Sequence, residues 1–199
     1  MAYIGHIPIH KGTHIKNSLE YISRDEKAYE VTGINWLEDL DGAISQFEYV
    51  NGIKERSNKK GNSIIAHHYY QSFLSNTINA EEAHRIGVEL TKTIAPGYMA
   101  HVATHIDKEH THNHIIICSV HPETGYKYRH CWDQFKFVNE QSDALCLERG
   151  ISIIDNPKKR VLSRKEYRAI AKGGSWKDTL AWDIDDAIDN AVADNSGKK

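Results

Sequence analysis

Cysteine is scarce: the chain holds three, Cys118, Cys131 and Cys146, odd in number and with no CxxC pair. That argues against a disulfide framework and a cysteine zinc site, and leaves buried thiols as the expectation. No apolar run approaches the roughly 18 to 20 residues that a membrane span needs, and no basic-then-apolar leader opens the chain. A cytoplasmic protein without a membrane segment is therefore expected. A glycine-rich phosphate loop ending in Gly-Lys-Ser or Gly-Lys-Thr is also missing, which argues against nucleotide-driven chemistry. Net positive charge is lacking too, at −2, which at first sight suits no handler of nucleic acid. The distribution matters more: five aspartates lie against two lysines between Trp182 and Lys199, and the rest of the chain is near neutral. Basic residues cluster at Lys54, Arg56, Lys59 and Lys60, and again at Lys158, Lys159, Arg160, Arg164, Lys165 and Arg168. Either cluster is a solvated face or a phosphate track.

What is present is a 199-residue chain with 40% apolar content, enough for one compact domain over 1–199. Strand patterning covers 2–8, and a helix is expected over 14–23 with Ile15, Leu19 and Ile22 as its buried stripe. Tyr21 is off that stripe. Two positions from Leu19 is roughly 200° around a helix, so Tyr21 shares a face with His14, Asn17 and Arg24. Further helices are expected over 42–53, 80–94, 133–149, 163–171 and 176–193, the last packing on the domain or leading into a further region. Strands are expected over 64–73, 99–107, 112–120, 126–129 and 151–154, with a polar loop over 55–62. Hairpin-linked strands with helices between them predict an α+β domain, a largely antiparallel central sheet flanked by helices.

Six of the thirteen histidines, His101, His105, His110, His112, His114 and His121, fall within 21 consecutive residues. Alternation puts His101, His105 and Asp107 on one face of the first strand, and His112 and His114 on one face of the second. A four-residue loop over 108–111 would set Asp107 opposite His112 and His105 opposite His114, each pair with Cβ atoms roughly 5 Å apart. Three imidazoles and a carboxylate then converge on one patch, the donor set of a divalent cation with a carboxylate free to orient a ring. His67, His68, His84, His121 and His130 are read as structural. The His-Asn-His run does not indicate the nuclease element of that name, because 115–120 continues as strand where that element needs a helix.

The segment His105-Ile106-Asp107-Lys108-Glu109-His110-Thr111-His112-Asn113-His114, followed by three isoleucines, resembles the third motif of the P-type mobilisation relaxases. These are tyrosine endonucleases of the HUH type, among them the Agrobacterium T-DNA nickase. Leu19-Glu20-Tyr21-Ile22-Ser23-Arg24 resembles their first motif, and Tyr70-Gln71-Ser72-Phe73 with Glu81-Glu82-Ala83 their second. Stretches at 145–150 and 175–177 are similar as well, so the resemblance spans nearly the whole chain. It departs at Asn113, where the family usually has a hydrophobic residue, a position that points away from the metal.

The resemblance implies an HUH-type fold in which His105, His112 and His114 bind a divalent metal and Tyr21 is the nucleophile. Mg²⁺ or Mn²⁺ would serve in cells, and the nitrogen donors would also accept Zn²⁺ or Ni²⁺. Asp107 takes the tyrosine proton or, preferably, fixes the ring of His112. Ser72, Gln71, Arg24, Lys158, Lys159 and Arg160 are expected to contact DNA. Since a tyrosine with a pKa near 10 is ionised roughly once in a thousand at neutral pH, attack on a phosphodiester needs a base, a positive field, or both. The implied function is nicking of a bacterial transfer origin through a 5′-phosphotyrosine adduct that is later religated. The implied partners are single-stranded and hairpin DNA, relaxosome accessory proteins and a coupling protein. A rolling-circle replication initiator shares the chemistry, a metal hydrolase would make no adduct, and a non-catalytic DNA-binding accessory protein would be expected to have a broken histidine set.

Overall fold

The structure, a computed structural model, describes residues 2–10, 12–35, 39–55, 64–108 and 110–153. The Lys158, Lys159 and Arg160 cluster, most of the 54–60 basic cluster, the helices expected over 163–171 and 176–193 and the 175–177 stretch lie outside the described residues.

In chain order the elements are β1 (Ala2–His10), α1 (Gly12–Ile22), β2 (Ala28–Ile34), α2 (Leu40–Glu55), β3 (Ile64–Phe73), α3 (Ala80–Ile94), β4 (Ala100–His105), β5 (His112–Cys118) and α4 (Trp132–Glu148). The strands form one sheet in the order β1-β3-β5-β4-β2, and every pairing in it is antiparallel. Strand alternation divides the core in two. Ala66, Ala103, Ile116 and Cys118 pack under Ile15, Leu19 and Ile22 of α1 and Phe47 of α2. Tyr69, Val102, Ile115 and Ile117 pack on the other face, under Leu90 and Ile94 of α3 and Val138 of α4. The expected α+β architecture with a flanked antiparallel sheet is what the chain adopts.

β3 and α3 have the expected bounds, and α3 opens on Asn79, whose side chain accepts from the Glu82 amide at 2.8 Å. α4 ends before Gly150, whose φ of +70° suits a residue without a side chain. β2 was not expected at all. It is an edge strand whose large apolar residues, Tyr29 and Val31, face solvent, so hydrophobic alternation does not mark a buried side. The strand expected over 126–129 is a single bridge between Val120 and Lys127, and 151–153 form no strand. Cys131 is exposed, against the expectation of a buried thiol, while Cys118 and Cys146 are buried.

The hairpin register also differs from expectation. His105 lies opposite His112, and Ala103 opposite His114, so the loop runs over 106–111 rather than 108–111. Other partners take the two extra positions: the Ile106 amide donates to the Lys27 carbonyl at 3.1 Å, and the Asp107 carboxylate pairs with Lys27 Nζ at 3.4 Å. A slip of two residues leaves every side chain on its intended face.

Candidate metal and tyrosine site

His105 ends β4, His112 and His114 open β5, and all three project from the α1 face of the sheet. One ring nitrogen of each lies within 4.8 Å of the others. The rings are buried rather than spread on a solvated strand face. Each has its other nitrogen engaged: His105 Nε2 donates to the Ile22 carbonyl at 2.8 Å, His112 Nδ1 to the His110 carbonyl at 3.3 Å, and His114 Nδ1 meets His68 Nε2 at 2.9 Å. The two carbonyl bonds select tautomers that leave His105 Nδ1 and His112 Nε2 as lone pairs, and His114 Nε2 joins them in the tautomer whose Nδ1 donates to His68. Burial pushes His112 down to about 4 and His114 well below its ordinary value, with neighbouring imidazoles adding to both; burial also lowers His105. Three neutral, fixed imidazoles form a donor set that fits a divalent ion. Ser72, opposite His112 in the β3–β5 ladder, adds a buried hydroxyl with no hydrogen-bond partner among the described residues.

Buried neutral histidines also set an acid limit. Burial pushes His68, His101 and His112 to about 4, whereas an unfolded histidine titrates near 6.5. Between those values the unfolded chain takes up protons that the folded chain refuses, so stability is complete above about pH 6.5 and falls as pH drops toward 4. The urea midpoint of metal-free protein is expected to hold from pH 8 to 7 and to decline steeply below about 6.5. A flat midpoint down to pH 5 would mean that the rings are hydrated.

The C-terminal end of α1 is fastened to this cluster twice, by the His105 to Ile22 bond and by Ser23 Oγ to His101 Nε2 at 2.7 Å. Those bonds bring Tyr21 to the triad, its ring centroid 6.3 Å from that of His105. The Tyr21 oxygen accepts from Lys27 Nζ at 3.2 Å, and the ring lies under two cations, Lys27 at 4.6 Å and Arg24 at 5.5 Å from its centroid. Lys27 in turn pairs with Asp107 at 3.4 Å. Burial works against the Lys27 charge, but the bonds to Tyr21 and Asp107 outweigh it and hold its pKa above the ordinary value.

Asp107 stands 3.9 Å from His112 Nε2, the nitrogen left for a metal. The orienting position at His112 Nδ1 belongs to the His110 carbonyl, so Asp107 reaches Tyr21 through Lys27 and does not hold that ring by its Nδ1. Tyr21, Arg24, Ser72, Asp107, His105, His112 and His114 are thus brought together. Gln71 is not. It is fully buried on the opposite face, donating to Ser142 Oγ at 2.7 Å and accepting from Asn113 Nδ2 at 2.9 Å, and a side chain so enclosed has no surface for DNA. Sequence reasoning missed Lys27 and His68. Nothing in the sequence marks Lys27, but the His67-His68 pair in a strand carried a signal, since adjacent side chains must serve opposite faces.

Solved structures share this fold. The MobM relaxase domain, crystallised Mn-bound with plasmid oriT DNA, matches at TM-score 0.57 and 9% identity, over 84% of this chain and 98% of that one. A chain from a structure described as the molecular basis of vancomycin resistance transfer in Staphylococcus aureus matches at TM-score 0.55 and 13% identity, over 79% of this chain and all of that one. The chain belongs to the relaxase family of MobA/VirD2-like type, whose nuclease-domain model matches residues 21–151. Protein rlx of Staphylococcus aureus is 39% identical over 170 residues, 85% of this chain and 51% of the relative, and a second rlx protein is 35% identical over 86% and 52%. The group II intron-interrupted relaxase LtrB of Lactococcus lactis is 23% identical over 175 residues. The chain therefore spans about half the length of the rlx proteins that it matches. Among the described residues no helix is long and apolar enough to cross a membrane.

Proposed function

We propose that this chain is the DNA-nicking domain of a bacterial mobilisation relaxase, in which Tyr21 attacks one phosphodiester at a transfer origin. The observation that carries this reading is the Tyr21 hydroxyl held by Lys27 beside a triad of buried, neutral imidazoles. His105, His112 and His114 would hold a divalent ion, Mg²⁺ or Mn²⁺ in cells with Zn²⁺ or Ni²⁺ also accepted, which supplies Lewis-acid polarisation of the scissile phosphate. The Tyr21 oxygen forms a bond to phosphorus, the bond to the 3′ oxygen breaks, and that oxygen leaves as a 3′ hydroxyl after taking up a proton. The tyrosine proton passes to Asp107 or to water. Lys27 places positive charge 3.2 Å from the attacking oxygen, where charge shifts as the adduct forms. Ser72 and Arg24 flank the strand being cut, and the Lys158, Lys159 and Arg160 cluster tracks phosphates. The partners are single-stranded and hairpin DNA at the origin, accessory proteins of the relaxosome and a coupling protein, in the bacterial cytoplasm.

Incubation with a single-stranded oligonucleotide covering the element's own transfer origin should give an SDS-stable protein–DNA adduct and a free 3′ hydroxyl. Cleavage without an adduct would replace this reading with a water-using hydrolase. Lys27→Met should slow single-turnover adduct formation by about 10- to 100-fold while leaving oligonucleotide affinity within a few-fold. An unchanged rate would reduce Lys27 to a counter-ion for Asp107.

A further inference from the structure

A second histidine cluster sits on the other face of the sheet, apart from the tyrosine and the triad. His67 and His68 are neighbours in β3 and point to opposite sides; His68 holds His114, and His67 faces away from it. On that far face His67 Nδ1 meets His6 Nε2 of β1 at 3.0 Å. His130, just before α4, stacks on His6 with ring centroids 3.5 Å apart and planes 15° from parallel. One nitrogen from each of His6, His67 and His130 lies within 4.8 Å of the other two.

We propose that His6, His67 and His130 form a second metal site, remote from the nicking chemistry, for a borderline divalent transition ion, Zn²⁺ foremost. Nitrogens bound at roughly 2.0 to 2.1 Å around a tetrahedral ion stand about 3.3 Å apart, and the His6–His67 pair at 3.0 Å is within a few tenths of that. On binding, the hydrogen between these two nitrogens would move to the other nitrogen of its ring, and His130 would turn out of its stack on His6 to aim its lone pair at the ion. Around the ligands the expected orienting shell is in place. His130 Nδ1 meets Tyr69 Oη at 2.8 Å, Tyr69 meets Tyr128 Oη at 3.3 Å, and Gln134 Nε2 donates to Tyr128 Oη at 3.1 Å. With the His130 proton on Nδ1 and donated to Tyr69, its Nε2 lone pair is left for an ion. Burial raises Tyr69 far above the ordinary tyrosine range, so its hydroxyl stays protonated, and Tyr128 Oη lies within reach of that hydrogen.

At neutral pH the ligands carry no proton that an ion must displace from a cationic ring: burial, then the charges of neighbouring histidines, pushes His6 to about 2 and His67 to about 3. Lys127, whose charge His67 feels, works against a cation here. That opposition, with only three protein ligands, predicts a weaker site than a four-ligand structural zinc. His6 and His130 are half-buried, so the fourth position opens to solvent. An ion there would tie the edge strand β1 to β3 and to the segment entering α4, the layer opposite the reacting DNA. Mg²⁺ is a poor occupant for want of oxygen ligands.

The untagged full chain, stripped of metal and dialysed against a small excess of Zn²⁺, should retain two ions by mass spectrometry of the metal. The double variant His112→Gln/His114→Gln should retain one, and Zn²⁺ should still raise its melting temperature. Co²⁺ added to that variant should give the visible absorbance of a tetrahedral nitrogen site. His67→Gln/His130→Gln should also retain one ion, and combining both pairs should leave none. One ion in the parent and none in His112→Gln/His114→Gln would overturn the site and leave a hydrogen-bonded imidazole stack. Those two measurements are decisive whether or not the His67 variant folds.

Discussion

Tyr21→Phe is expected to bind the transfer-origin strand within a few-fold of the parent and to form no covalent adduct. Phenylalanine keeps the ring that packs at the edge of the α1 and α2 core and lies beneath Lys27 and Arg24. Only the oxygen is removed, and with it one hydrogen bond from Lys27, which keeps its partner Asp107. A nucleophile contributes to the transition state far more than to the bound ground state, so adduct formation should fall by at least about a thousand-fold while affinity barely moves. Fluorescence anisotropy measures the affinity and a denaturing gel the adduct. Persistence of the adduct would move the nucleophile to another tyrosine, and the structure narrows the choice. Tyr69 is on the far face with its hydroxyl held by His130 and Tyr128. Tyr70 shares the triad's face but lies over Gly5 of β1, a position where any Cβ would run into its ring, so it leans away from β5.

The triad was legible because strand alternation survives errors of register. His105, His112 and His114 share a face whether the loop holds four residues or six, since a slip of two preserves parity. Asp107 was less secure for the same reason. Its place depends on the loop path, and the Ile106 amide pairs with the Lys27 carbonyl instead of extending the hairpin. β2 escaped notice because an edge strand with Tyr29 and Val31 outward has no apolar face to read. Lys27 follows from the β2 path and from the turn at Arg24, where the amides of Lys27 and Ala28 both bond to the Arg24 carbonyl. A motif read along the chain carries no trace of that turn. Gln71 shows the opposite failure: its motif put it beside Ser72, but one step along a strand is the other side of the sheet.

His114→Gln is expected to abolish adduct formation and metal uptake at the triad, with a loss that excess metal does not repair. His114 is buried, so the change is not the neutral surface edit that an exposed ligand would allow. It also removes the ring that partners His68 Nε2 at 2.9 Å, and leaving a buried polar group unpaired costs about 1 to 3 kcal/mol. Glutamine keeps polar atoms in that space, so the metal-free variant should fold with a lowered urea midpoint. His68→Gln separates the two effects. There all three ligands remain and only the orienting bond to His114 is lost, which should weaken metal affinity by about 10- to 100-fold. Adduct formation by His68→Gln should therefore recover as Mn²⁺ is raised, while His114→Gln should stay inactive at every concentration. Calorimetric titration showing the triad's uptake unchanged in His114→Gln would mean that this nitrogen binds no ion and that the ring serves packing alone.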